Sequence, residues 1–276
     1  MKRPYVQKLV AALSMMICAV SLHVQAYAYT EEPMGAYGNR RVSDSERERW
    51  WPEYSDNTTR FRATQLIVPG ALFTVGALGI GENAPLARLN QSIKSGVAQL
   101  SNGNREHFDD YMQYAPIATY LALCLPPPIK SKHTVGERVA VATVAYGSMA
   151  ILTNSLKFTV REMRPDGSRR NSFPSGHTAV AFTGAELIRS EYGWGLGTVA
   201  YVSATAVAFM RIYNNRHWFN DVLAGAAIGI VSARIGYWLL PLSRKIFNMK
   251  PNQTLVAAPA YYPEQGALGV SLAFSF

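Results

Sequence analysis

Residues 217–240 read HWFNDVLAGAAIGIVSARIGYWLL. A histidine and a carboxylate head an apolar run that continues to residue 241. Such a run reaches the roughly 20 residues that a membrane-crossing helix needs. His217 and Asp221 are four residues apart, the spacing that stacks two side chains on one helical face. Further steps of four give Gly225, Gly229 and Ala233. A stripe of small residues lets a second helix come close. Residues 177–189 carry a similar stripe, His177, Ala181 and Ala185 with Gly184 beside it. The two segments are therefore expected to pack together. Glu186 and Arg234 lie in them, and the residues allow either a mutual pair or two solvated helix ends.

Outward from this run, apolar segments recur near 65–80, 114–127, 138–156, 177–189 and 194–210. With 221–241 they predict an all-α protein, a transmembrane bundle of about six apolar helices. Several are shorter than a straight span, so a water-soluble helical protein with an apolar core is the competing reading. Residues 82–111, ENAPLARLNQSIKSGVAQLSNGNREHFDDY, mix charged and apolar residues at helical spacing and read as an amphipathic connector on a surface. The motif HFDDY within it reads as a surface turn or helix cap rather than a metal site. The tail, 248–276, holds TLVAAPAYY and ALGVSLAFSF around a PEQG turn, a pattern for a short β-hairpin.

The 276-residue chain is 49% hydrophobic, 16% charged and carries a net charge of +9. No block of like charge and no basic–aromatic repeat suggests nucleic acid, so a membrane surface or a phosphate ligand accounts better for the excess. Residues 1–28 have a basic start, an apolar core and small residues at Ala26 and Ala28, the layout of a secretory signal. A polar lead-in at 29–64 and a helical domain at 65–247 follow. Cleavage of the signal would leave Cys124 as the single cysteine, so no internal disulfide is expected.

The chemistry gathers in three stretches. In KFTVREMRP, Lys157 and Arg164 are seven residues apart, about two turns, and would share a face if the helix persists. In PSGH, Ser175 is a good helix N-cap and Gly176 admits close backbone approach, so the helix start can cradle an anion with His177 in its first turn. In RIYNNRHWFND, Arg211 offers a forked donor for phosphate oxygens, while Asp221 can fix the tautomer of His217 and sharpen its free nitrogen. Each feature alone has a structural explanation. Three basic residues and two histidines beside apolar helices are harder to explain that way.

Together these stretches resemble the three signature motifs of the type 2 phosphatidic acid phosphatase superfamily: lysine, six residues, Arg-Pro; then Pro-Ser-Gly-His; then arginine, five residues, histidine, three residues, aspartate. The resemblance covers about residues 114–241. It departs at Met210, where the family usually has a serine. The resemblance implies that His217 attacks phosphorus to give a phosphohistidine, with Asp221 orienting it. It implies that His177 protonates the leaving alkoxide and then activates water. Lys157, Arg164 and Arg211, with Ser175 and the Gly176 N–H, would hold the phosphoryl oxygens, and no metal or other cofactor is required. The implied substrate is a lipid phosphate or diphosphate in a bacterial envelope, such as phosphatidic acid, phosphatidylglycerophosphate, undecaprenyl diphosphate or lipid A phosphates. Arg161, Arg169 and Arg170 suit an anionic headgroup. The alternatives are a soluble exported acid phosphatase, a vanadate-dependent haloperoxidase and a catalytically inactive lipid-binding protein. The expected location is the inner membrane, with the site facing the periplasm.

Overall fold

The structure is a computed structural model that describes residues 58–101, 105–124, 131–249, 254–262 and 267–275. The expected signal at 1–28 and most of the polar lead-in lie outside the described residues. A 3-10 turn at Ala63–Leu66 leads into α1, Ile67–Ala77, and then α2, Ala87–Ser101. The short helices α3, Asp109–Met112, and α4, Ala115–Ala122, follow. The main body comprises α5, Val135–Val160, α6, Gly176–Tyr192, α7, Trp194–Tyr213, and α8, Phe219–Trp238, with α9, Leu240–Ile246, behind it. The tail pairs two strands antiparallel, Thr254–Tyr262 with Ala267–Ser275.

Of the six expected apolar helices, three among the described residues, α5, α7 and α8, are long and apolar enough to cross a membrane. At about 1.5 Å per residue, the 20 residues of α7 and of α8 match a hydrocarbon core of ~30 Å. The segment near 114–127 yields only eight helical residues, and 65–80 yields an eleven-residue helix after its 3-10 turn. Helix α6 is seventeen residues long and buries Glu186 and Glu191.

Helix α8 is the hub. Within its most apolar window 72% is buried inside the protein, against 33% for α5 and 39% for α7, so α8 is wrapped and the other two present outer faces. It packs on α1, α5 and α6. The small-residue stripe makes this possible: a Cβ added at Gly225 would lie 2.5 Å from the Ser175 carbonyl oxygen, and one at Gly229 would lie 2.6 Å from that of Ala179. The expected α6–α8 contact is thus met by backbone-to-backbone approach. Ala181, Ala185 and Ala233 are each fully buried in the same region.

Local signals start and stop these helices. Thr134 caps α5, exchanging hydrogen bonds with Glu137: its N–H donates to Oε2 at 2.9 Å, and the Glu137 N–H donates to Thr134 Oγ1 at 3.3 Å. Ser175 caps α6. Gly193, at φ +83°, breaks the chain between α6 and α7 in a conformation costly for any side chain. Far from Ser175, Glu186 accepts from Arg189 at 2.6 and 2.7 Å, from Tyr201 at 2.6 Å and from Arg234 at 2.6 Å. Of the two readings left open for Glu186 and Arg234, pairing is therefore the one realised. The helix-rich core leaves its four polar ends, those around residues 160, 176, 213 and 219, on one side.

Candidate active site

Lys157 lies in the last turn of α5, which stops at Val160; Arg161 takes a left-handed φ of 53°. The helix therefore does not persist to Arg164, and the expectation of one shared helical face is incorrect. A loop brings the two cations together instead. Asn171 joins them, its backbone oxygen accepting from Lys157 Nζ at 2.7 Å and its Oδ1 accepting from Arg164 Nε at 2.9 Å. The loop is shaped by its own bonds, Arg164 N–H to the Arg169 oxygen at 3.0 Å and Ser172 N–H to the Glu162 oxygen at 3.0 Å.

His217 likewise precedes its helix. Trp218 is the N-cap of α8 and Asp221 the third helical residue, accepting the Trp218 N–H at 2.7 Å on Oδ2. The same oxygen faces His217 Nδ1 at 3.3 Å and accepts from Ser172 Oγ. An ionised carboxylate only accepts, so Nδ1 is the protonated nitrogen and Nε2 keeps its lone pair. His217 is 3% exposed. Burial first, then the charges of Lys157, Arg211 and Arg164, hold its pKa well below the usual histidine range. A neutral ring with a free Nε2 near three cations has the chemistry to attack an anion that those cations hold. The other oxygen, Asp221 Oδ1, is fully buried and receives no backbone N–H, amide or hydroxyl hydrogen from the described residues.

PSGH closes onto this pair. The Ser175 N–H donates to the Asp221 backbone oxygen at 3.0 Å, and Ser175 Oγ accepts from the Thr178 N–H at 3.5 Å. The first N–H groups of α6, from Gly176 and His177, have no intrahelical acceptor, and the helix dipole makes this end attractive to anions. A Cβ at Gly176 would meet only Thr153 Cγ2 at 4.0 Å, so protein packing does not demand this glycine.

The sequence reading missed the segment 105–114. HFDDY is no plain surface turn. Asp109 is buried and paired with the Arg211 guanidinium, while Asp110 Oδ1 lies 3.3 Å from Arg211 Nη1 and 2.9 Å from His177 Nε2. Asn214 ties the segment down, its Nδ2 donating to the Glu106 oxygen at 2.7 Å and its Oδ1 accepting the Glu106 N–H at 2.8 Å. Arg105 and Arg216 both reach Asp166, at 3.2 and 3.5 Å. A cavity of about 430 Å³ opens here, lined by Arg164, Arg169, His177, Arg211 and Asp110 among others. Burial, then the Arg211 charge, lowers the His177 pKa, and Asp110 pulls it back up. A local acid count could not reveal this, since the partners are some 67 and 101 residues away. Arg161 and Arg170 line a different cavity, on the other side of the 161–172 loop.

Each sequence-predicted site residue thus lies in one neighbourhood: Lys157, Arg164 and Arg211 as cations, Ser175, Gly176 and His177 at the α6 start, and His217 with Asp221 at the α8 start. The arrangement can bind a phosphoryl group, attack it with an imidazole and exchange protons through a second one.

The chain is similar to several known proteins. Over 111 residues, 39% of the chain, it is 40% identical to the lipid A 1-phosphatase of Porphyromonas gingivalis. Over 139 residues, 49% of the chain, it is 39% identical to the bacitracin transport permease protein BcrC of Bacillus licheniformis. The matches span 25% and 59% of those two relatives. Among solved structures, LpxE of Aquifex aeolicus has a TM-score of 0.43 at 23% identity, covering 57% of this chain and 98% of that one. The PAP2 type phosphatidylglycerolphosphate phosphatase of Bacillus subtilis has a TM-score of 0.45 at 18% identity, covering 67% of this chain and 98% of that one. Residues 138–245, which hold all three motifs, match the family model of the PAP2 superfamily.

Proposed function

We propose that the chain is a metal-independent phosphatase that hydrolyses a lipid phosphate or diphosphate monoester through a phosphohistidine. The observation that carries this reading is the neutral, buried His217, oriented by Asp221 and ringed by Lys157, Arg164 and Arg211. The phosphoryl oxygens bind the three cations and the α6 start. Nε2 of His217 attacks phosphorus as the ester oxygen departs. His177 supplies the proton to that oxygen, then takes one from the water that cleaves the phosphohistidine. The cations offset the growing charge throughout. The name of the lipid A 1-phosphatase relative favours an anionic glycolipid among the candidate substrates.

The membrane reading rests on α5, α7 and α8. The site is read as facing the outside of the inner membrane, with the tail hairpin an accessory to the helical domain. Ser168→Cys tests the side: labelling by an impermeant thiol reagent in intact spheroplasts is expected, and protection refutes it. The activity test is phosphate release from a panel of lipid phosphates with EDTA present. Wild-type protein is expected to turn over, and His217→Ala to lose roughly 10³-fold or more. Equal release by both proteins overturns the mechanism, and release abolished by EDTA overturns its metal independence.

A further inference from the structure

Asp221 leaves one oxygen unexplained. Oδ2 is crowded by Ser172, Trp218 and His217, but Oδ1 is buried without an N–H or hydroxyl donor. The nearest candidate is a second carboxyl group. Glu162, just past the end of α5, is held beside Asp221 by its neighbours: its carboxylate accepts from the side chain of Asn220, the residue before Asp221, and its backbone oxygen accepts from the N–H of Ser172, whose hydroxyl donates to Asp221 Oδ2. Its position is built, not accidental. Glu162 Oε1 accepts from the Gly81 N–H at 3.4 Å, Oε2 accepts from Asn220 Nδ2 at 3.3 Å, and its backbone oxygen accepts from Ser172 N–H. Asn220 is itself held by Asn90 of α2 at 3.0 Å.

Two ionised carboxylates in that setting would repel across a short gap, as in other paired acids. One shared proton removes the repulsion and supplies the missing donor. We propose that Glu162 is a positioning residue for the phosphatase reaction, protonated at working pH and donating its O–H to Asp221 Oδ1. The chain then runs from Glu162 through Asp221 to His217, with the negative charge kept on Asp221, where it orients the imidazole. Burial, followed by the Asp221 charge and hydrogen bond, pushes the Glu162 pKa up to about 8.

Among the charged groups, Asp221 faces Glu162 from α8, and Arg161 and Arg170 of its own loop line a cavity with it. Glu82 and Arg88, from the 79–92 segment, line with Glu162 a cavity of about 890 Å³. That cavity gives the proton a route to solvent. Above the Glu162 pKa the proton leaves, the two carboxylates face each other, and His217 loses its fixed partner. Activity that depends on this proton is therefore retained while Glu162 is protonated and falls as pH rises through its raised pKa, about 8.

The inference rests on the phosphatase reading, and the experiment separates the two. The burst of phosphoenzyme formation is followed against pH with an aryl phosphate, whose leaving group needs no proton from His177. Wild type should show an alkaline limb near pH 8. Glu162→Gln, a pH-independent donor of the same shape, should keep its rate at pH 7 within about threefold and lose that limb. Glu162→Ala should fall roughly 10- to 100-fold at all pH values, as loss of a hydrogen bond to a charged group predicts. An unchanged limb in Glu162→Gln, or wild-type rates in Glu162→Ala, overturns the proposal. A readout independent of turnover is the infrared carbonyl band of a protonated carboxyl group. It should be present in wild type at pH 7, vanish on raising the pH, and be missing in Glu162→Gln. Absence of that band in wild type also overturns the proposal. An inactive wild type would overturn the phosphatase reading and leave the infrared test of Glu162 standing.

Discussion

Gly225 couples packing to chemistry, and replacing it with alanine exposes that coupling. The new Cβ would lie 2.5 Å from the Ser175 carbonyl oxygen and 3.1 Å from Thr178 Cβ, about 1 Å inside ordinary contact with the oxygen. Neither partner is a flexible side-chain end, so α6 and α8 must separate by something near that distance. Overpacking of this kind costs about 1–3 kcal/mol of stability. Ser175 also caps α6 and holds the Asp221 backbone, so the shift enters the site directly. A displacement of ~1 Å at reacting groups typically lowers the rate about 10²-fold, or ~2.7 kcal/mol of barrier. Gly236→Ala is the matched control. Its Cβ would lie 2.6 Å from the Val141 oxygen, a similar overlap between α8 and α5 but fifteen residues beyond Asp221. Steady-state phosphate release and thermal unfolding, measured on both variants in detergent, are expected to show similar destabilisation but a large fall in kcat only for Gly225→Ala. Equal kcat in the two variants, at a temperature where both are folded, refutes the link between helix approach and site geometry.

Other outcomes follow from single contacts. Asp110→Asn removes a carboxylate that competes with phosphate for Arg211 and His177, so inorganic phosphate should inhibit roughly 5- to 10-fold more strongly, a change of about 1 kcal/mol; weaker inhibition counts against that competition. Asn171→Ala frees Arg164 from its guide and should lower kcat/KM roughly fivefold with Lys157 still held by the backbone, as kinetics on a lipid phosphate will show. Glu186→Ala strands Arg189 and Arg234 in a buried position and should destabilise the fold by about 3–5 kcal/mol by thermal unfolding. Because nine residues of α6, ~14 Å, separate Glu186 from His177, kcat should change little while the protein stays folded.

The parts of the site that sequence revealed are those held by short-range geometry. His217 and Asp221, four residues apart, meet as expected, although through an N-cap and not along a helical face. Gly225 and Gly229 announced the α6 contact because absence of a side chain is itself a packing signal. Lys157 and Arg164 were found for an incorrect reason, since α5 ends four residues before the arginine and Asn171 does the joining. Asp109, Asp110 and Asn214 were not legible, because their partners come from other helices and no periodicity marks a long-range ion pair. Apolar composition alone does not separate lipid exposure from core packing: α5, α7 and α8 have the length and hydropathy of spans, whereas α6 is shorter and buries Glu186 and Glu191.

The Glu186 cluster bears on how such a chain would be made. Helix α6 carries Glu186, Arg189 and Glu191 in its last two turns, so hydropathy alone gives a translocation channel little reason to release it sideways. Glu186 gains Arg234 only when α8 has emerged, 48 residues later in the chain. Until then the partners available to Glu186 are Arg189, three residues on, and Tyr201 of α7. A chain made only as far as residue 233 would therefore carry His177 on a helix whose Glu186 still lacks its Arg234 partner.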